Sequence, residues 1–450
     1  MNLRGKKMFL VKQITVNNHG KEVLNSNFIP DVKTNKVFTT LILGENGTGK
    51  SFLLKTLADI FIYLEKAKHY QRKPRFRYEQ FTVHYFLDGD EYKVDKISGR
   101  ELVCEKNGEV ISLKELNLPQ KVLAVSFMVN DKFLFVDSKE RENEIYEYLG
   151  VRKTTNATYT SSVVQNVLQS VVQLLDSGLV KEINKVLNLL HFDSRIEIIF
   201  AQIKNKKTEK QRWKDAGHSF IIECNTQSID VFEGEMIGGN TIKELLSKKE
   251  IQPVNISFFK NDERIRFEDC SSGEKHMLFA FSGVLNSIKD NSLILIDEPE
   301  ISLHPEWQIQ YITLLKKVFS RYEGCHFILA SHSHYLVSDL EGETSSIVTL
   351  SKDNDCTSPK ATLLPYNTFA WSAENIIYNV FGLRTTRNYY FERDLHSLLS
   401  MIQNYENNTD DITKIKSLVN KLKQYIYNEQ DPLKIVILQA EEFLKCIQKD

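Results

Sequence analysis

Leu41-Ile42-Leu43-Gly44-Glu45-Asn46-Gly47-Thr48-Gly49-Lys50-Ser51-Phe52-Leu53-Leu54 is the stretch that decides the fold. An apolar, β-branched run from Val37 ends at a G-x-x-x-x-G-K-S turn, and Phe52 to Leu64 continues with helical spacing. Strand, glycine-rich turn and helix in that order make a phosphate cradle. Glycines let backbone N–H groups close around phosphates, and the helix N-terminus adds positive potential. Lys50 is placed to reach the β and γ phosphates of ATP, and Ser51 to ligate Mg2+. Gly44, Glu45, Asn46, Gly47, Thr48, Gly49, Lys50 and Ser51 are therefore the expected ATP-binding residues.

Four further segments follow in order. Cys270-Ser271-Ser272-Gly273-Glu274-Lys275 precedes a helical run; taken alone, its serine and glutamate also read as a helix cap. Leu293 to Ile296 is a buried strand that presents Asp297 and Glu298, one to hold magnesium and one to polarise the attacking water as general base. Glu300-Ile-Ser-Leu-His-Pro-Glu-Trp307 comes next, and Phe327 to Ser331 is a strand ending at His332, an imidazole able to donate to a phosphate oxygen. Together these resemble the signature, Walker B, D-loop and switch motifs of ABC-type ATPases in the SMC, RecF and OLD-like group. The resemblance implies that Ser271 and the Gly273 amide contact ATP bound by a partner subunit in a head-to-tail dimer. It also implies that His332 senses the γ-phosphate, that Lys50, Glu298 and His332 are catalytic, and that His304 is positional. Cys270 stands where the group usually has leucine. The Q-loop glutamine is missing, and Asn130 or Asp131 would take its place.

The fold class expected is α/β: an ABC-type P-loop head with a mixed sheet, an antiparallel β meander, a short helical insertion and a helical C-terminal tail. The meander is read from Phe81 to Leu113, where Asp88-Gly89-Asp90 and Asn107-Gly108 mark turns. One or two helices are read between Ser162 and Leu190, and helices again from about Ala373. The expected divisions are 1–135 (first lobe), 136–255 (insertion), 256–365 (second lobe) and 366–450 (tail, a partner-binding candidate).

Across 450 residues, 58 Lys plus Arg against 59 Asp plus Glu leave no overall field favouring nucleic acid. The six cysteines show no C-x-x-C spacing, which argues against zinc and disulfides. No apolar run has the roughly 20 residues of a membrane helix, so a cytoplasmic protein is expected. Over two hundred residues separate Lys50 from Ser271, more than a transporter ATPase needs, and transport ranks third. OLD nucleases carry a Toprim domain with a glutamate and a D-x-D pair. No such set was read from Glu341 onward, so any cutting is expected from a partner. Leu-His-Pro and the segment Trp371 to Asp394 resemble the ATPase subunits of Septu and retron anti-phage defence systems, which implies an HNH-type nuclease partner. The alternative is a RecF-like clamp on DNA. Lys66 to Arg77, with six Lys and Arg and no acid, would serve it as a phosphate-binding edge.

Overall fold

The computed structural model describes residues 8–447 except 30–36, 70–75, 98, 100, 136–144, 153–158, 177, 203–217, 226–235, 238–239, 249, 353–358, 366–367, 382–386, 406–408, 427–430 and 432. In chain order the first lobe gives β1 (Phe9–Asn18), β2 (Lys21–Asn27), β3 (Phe38–Gly44), α1 (Lys50–His69), β4 (Gln80–Leu87), β5 (Asp90–Lys96), β6 (Val103–Lys106), β7 (Glu109–Ile111), β8 (Val122–Ser126) and β9 (Tyr146–Gly150). There follow α2 (Tyr159–Asp176), α3 (Val180–Leu189), β10 (Arg195–Gln202), β11 (His218–Glu223), β12 (Met236–Ile237), β13 (Asn240–Thr241), α4 (Ile242–Ser247), β14 (Ile251–Lys260) and β15 (Glu263–Arg266). The motif-bearing half adds α5 (Ser272–Ser287), β16 (Leu293–Asp297), α6 (Pro305–Val318), β17 (His326–Ser331), β18 (Ser345–Ser351), β19 (Lys360–Leu363) and α7 (Ala373–Asn379).

The central sheet runs β19-β18-β3-β17-β16-β8-β9, parallel throughout except for the antiparallel edge strand β19. Both of its faces are covered, which explains the unbroken apolar runs of β16 and β17. Period 2 sorts the side chains. Leu293 and Leu295 enter the core shared with α1 and the antiparallel sheet β2-β1-β4-β5-β6-β7. Ile294 and Ile296 enter the opposite core, with α2, α3, α5 and α6. Parallel register brings the C-terminal ends of β3, β16 and β17 side by side.

The meander is present, and β1 and β2 extend it. The helices of the inserted segment share the core that holds α5, and β10 and β11 pair through β14 with β15. Residues 8–381 form one compact unit and those from 387 onward another. Thus α7 belongs to the first unit, where Ile376 and Val380 join the main core. The second unit is a helical bundle of α8 (Tyr389–Gln403), α9 (Thr409–Lys423) and α10 (Leu433–Ile447), closed by Leu398, Ile415, Leu422 and Ile437.

A buried polar chain ties β1, β3, β17 and β18 together. The Val11 N–H donates to His326 Nδ1 at 3.1 Å, so Nε2 carries the ring proton and donates to Thr40 Oγ1 at 2.8 Å. Thr40 bonds Ser346 Oγ at 2.8 Å, and Ser346 donates to the Phe28 carbonyl. Burial pushes the His326 pKa from 6.5 down to about 3. The unfolded chain therefore takes up this proton first, and the stability His326 contributes is complete above about pH 6.5 and is lost as pH falls toward 3. At pH 5 the loss is about 2 kcal/mol. Denaturant titrations at pH 7.5 and pH 5 should show it, and a His326→Gln variant should shrink the difference by that amount.

Candidate nucleotide site

The glycine-rich loop is shaped by backbone needs. Gly47 and Gly49 sit at φ 80° and 99°, where a side chain is strained. A Cβ on Gly44 would lie 2.5 Å from the Leu350 carbonyl oxygen. Lys50 is buried and folds back over the loop, its Nζ donating to the carbonyls of Gly44 (2.8 Å) and Glu45 (3.1 Å). Burial pulls its pKa down, and the negative charges of Glu298, Glu300 and Asp297 oppose that.

The next strand end brings the carboxylates to this lysine. Ser51 Oγ donates to Asp297 Oδ1 at 3.0 Å. Burial pushes the Asp297 pKa up to about 6, against the Ser51 hydrogen bond. Glu298 adopts φ 52°, in the left-handed region, fixed by its N–H donating to the Ala330 carbonyl at 2.9 Å. That turn aims its side chain at His332. The imidazole bridges Lys50 and Glu298: Nδ1 is 3.2 Å from Lys50 Nζ and Nε2 is 3.3 Å from Glu298 Oε1. Burial and Lys50 lower the His332 pKa while Glu298 raises it. An ammonium only donates, so Nδ1 accepts and the neutral ring carries its proton on Nε2, toward Glu298. Lys50, Ser51, Asp297, Glu298 and His332 thus converge from three adjacent strand ends, where ligands of open parallel sheets bind.

Ser271 and Gly273 stand at the start of α5. Among the described residues, no hydrogen bond or ion pair joins either to residues 44–51. Ser271 is exposed and caps α5: its Oγ accepts from the Glu274 N–H at 3.2 Å, and its own N–H donates to Glu274 Oε2 at 2.7 Å. The helix-cap reading of S-S-G-E is therefore realised in the chain. Gly273 is buried, and a Cβ there would stand 2.6 Å from the Ser302 carbonyl oxygen and 3.0 Å from Trp307 Cζ3. His276, one turn on, bonds the Ile301 carbonyl at 2.8 Å, and its ring stacks on Phe127 at 4.4 Å. Burial lowers its pKa to about 4. These contacts seat the start of α5 on the turn that follows Glu298.

Sequence reasoning missed Glu300. Its carboxylate accepts the His332 N–H at 2.6 Å. The available signal was a third acid at the strand end, in Asp297-Glu298-Pro299-Glu300. Asp131 is buried and already engaged by the Tyr148 hydroxyl (2.5 Å), Arg152 (3.0 Å) and the Phe133 N–H (2.9 Å), whereas Asn130 is exposed. Asn130 is thus the better candidate for the Q-loop position. His304 caps α6, accepting from the Glu306 N–H. In the basic tract, Lys68 donates to the Leu116 carbonyl at 2.6 Å, and residues 70–75 lie outside the described ones. The Lys-rich run Lys204 to Lys214, expected from its charge to be a solvated loop, lies outside them too. The reading that no D-x-D follows Glu341 needs correction: Asp353-Asn354-Asp355 is one, outside the described residues.

The family described as "AAA domain, putative AbiEii toxin, Type IV TA system" matches residues 165–338. The chain is 25% identical to the Septu protein PtuA of Bacillus thuringiensis over 224 residues, 46% of this chain and 54% of that one. It thus spans about half the length of that relative. The chain is similar to further proteins described as ATPases. Among these ATPases, the "Retron Vc95 probable ATPase" of Vibrio cholerae serotype O1 biovar El Tor is 22% identical over 367 residues, covering 69% of this chain and 68% of its own. A solved structure, the SMC head domain from Thermotoga maritima, aligns with TM-score 0.40 and 12% identity over 79% of this chain and 99% of its own. No helix among the described residues is long and apolar enough to cross a membrane.

Proposed function

We propose that this chain is the ATPase subunit of an anti-phage defence complex: an ATP-dependent head-to-tail dimer that regulates an associated HNH-type, PtuB-like nuclease. The observation that carries the ATPase part is the convergence of Lys50, His332 and Glu298 beside the Ser51–Asp297 pair. Ser51 and Asp297 offer hard oxygen donors 3.0 Å apart, of the kind Mg2+ takes. Bound there, Mg2+ would neutralise charge on the β and γ phosphates.

In this reading Lys50 exchanges its carbonyl partners and His332 Nδ1 for phosphate oxygens. His332, released from Lys50, turns toward the γ-phosphate. Glu298, released from His332, accepts a proton from the attacking water, and its backbone tether to Ala330 holds it at the strand end. Ser271 and the Gly273 amide would complete the partner's site. Ser271 is exposed at the helix cap, and neither residue has a bond to its own chain's phosphate loop among the described residues, which supports that assignment.

Ser271→Ala should lower ATP hydrolysis about 10-fold or more while leaving ATP binding to the monomer within about threefold. Loss of the cap costs about 1 kcal/mol of stability, which a melting curve separates from the kinetic effect. Lost ATP binding in that variant would count against a role in trans. The defence assignment rests on the likeness to Septu and retron ATPases. Purification of the tagged protein from its native host at moderate salt, followed by mass spectrometry, should return a small nuclease in stable complex. Recovery alone, or with DNA that stimulates turnover, would favour a DNA-repair clamp instead.

A further inference from the structure

β17 delivers Ser331 into register with Leu43, and the chain then leaves the sheet. The next amide, His332 N–H, has no strand partner; it donates to Glu300 Oε1 at 2.6 Å. The loop beyond is clamped as well, with the Ser333 N–H donating to Ser331 Oγ at 2.9 Å and Ser333 Oγ donating to Gln308. With its main chain held on both sides, the His332 ring can change partners only by side-chain rotation.

Glu300 stands on the turn that already carries Glu298 at φ 52°. The far side of the turn is held by the Ile301 carbonyl on His276 and by the Ser302 carbonyl against Gly273. One short segment therefore ties the imidazole to the start of α5. A carboxylate suits this place for two reasons: a charge-assisted bond to a backbone amide is strong, and its charge offsets Lys50.

We infer that Glu300 is a positioning residue: by accepting the His332 amide it fixes the pivot about which the imidazole swings between Lys50 and Glu298 on one side and a triphosphate on the other. This rests on the ATPase reading above. The required feature is the accepted hydrogen bond, so glutamine, whose amide oxygen also accepts, replaces Glu300 while alanine does not.

The test compares wild type, Glu300→Gln and Glu300→Ala in steady-state ATP turnover and equilibrium ATP binding. The His332 ring titration is followed by NMR of 13C-labelled histidine, with the resonance assigned by its absence in His332→Gln. Glu300→Ala should lower kcat about 10-fold or more with ATP affinity within about threefold, since a displacement on the order of 1 Å is enough. It should also shift the His332 titration. Glu300→Gln should keep most of kcat and the wild-type titration. A Glu300→Ala protein equal to wild type in both readouts overturns the inference. A Glu300→Gln protein as impaired as Glu300→Ala overturns it in favour of a purely charge-based role. If wild type binds ATP without hydrolysing it, the ATPase reading fails, and the ring titration still decides whether Glu300 positions His332.

Discussion

Glu298→Gln should bind ATP with nearly wild-type affinity and turn it over at least about 100-fold more slowly, because a general base contributes roughly 100- to 10,000-fold. The argument is local. Glu298 is held at the strand end in a left-handed conformation by its N–H to Ala330, and this tether is indifferent to the side chain. Glutamine matches it in size, and its carbonyl oxygen still accepts from His332 Nε2, 3.3 Å away in the wild type. What is removed is the negative charge and, with it, the capacity to take a proton. The variant should accumulate ATP-bound dimer, because the step that opens it is blocked. Phosphate release and equilibrium binding measured side by side check this. Turnover within a few fold of wild type would remove Glu298 as the base.

Lys50→Ala should lose ATP binding altogether or weaken it by about 100-fold or more, since hydrogen bonds to charged groups contribute about 1.5–3 kcal/mol each. Two effects act in the same direction. The variant lacks the ammonium that reaches the β and γ phosphates, and it leaves Asp297, Glu298 and Glu300 without the cation they surround. An anionic ligand would then meet three carboxylates and no lysine. Calorimetric titration with ATP reads the effect directly, and affinity within threefold of wild type would refute the role of Lys50.

The head was legible in the sequence where phosphate chemistry constrains residue type and spacing together. Gly44 to Ser51, Leu293 to Glu298 and Phe327 to His332 each couple a buried strand to a functional end, so periodicity and motif reinforced each other. The strands that went unread lack that coupling. β2 (Lys21–Asn27) and β9 (Tyr146–Gly150) are polar edge or terminal strands with few fully buried side chains. β14 carries Pro253 within its run, a residue that argues against a central strand. β18 follows a turn rather than a motif, and only its pairing with β3 shows that it completes the sheet.

Within the site, contacts made by the backbone were hidden. His332 was readable as an imidazole at a strand end, but the acceptor of its N–H was not, because Glu300 lies 32 residues away. His276 gave no motif signal at all; its bond to Ile301 and its stacking on Phe127 are consequences of packing. Ser271 shows the opposite lesson. The sequence reads either as a helix cap or as a contact in trans, yet a single exposed serine at a helix N-terminus can serve as both.

The central claim is that each ATP site is completed by a second copy of the chain, and mixing two impaired variants tests it most directly. Lys50→Ala and Ser271→Ala proteins are assayed for ATP turnover separately and after mixing in equal amounts. In a head-to-tail heterodimer one site carries both defects and the other carries neither, so the mixture should recover about a quarter of the wild-type rate, given random pairing. If Ser271 serves its own chain, every site in the mixture keeps one defect, and turnover no higher than that of the separate variants would contradict the account.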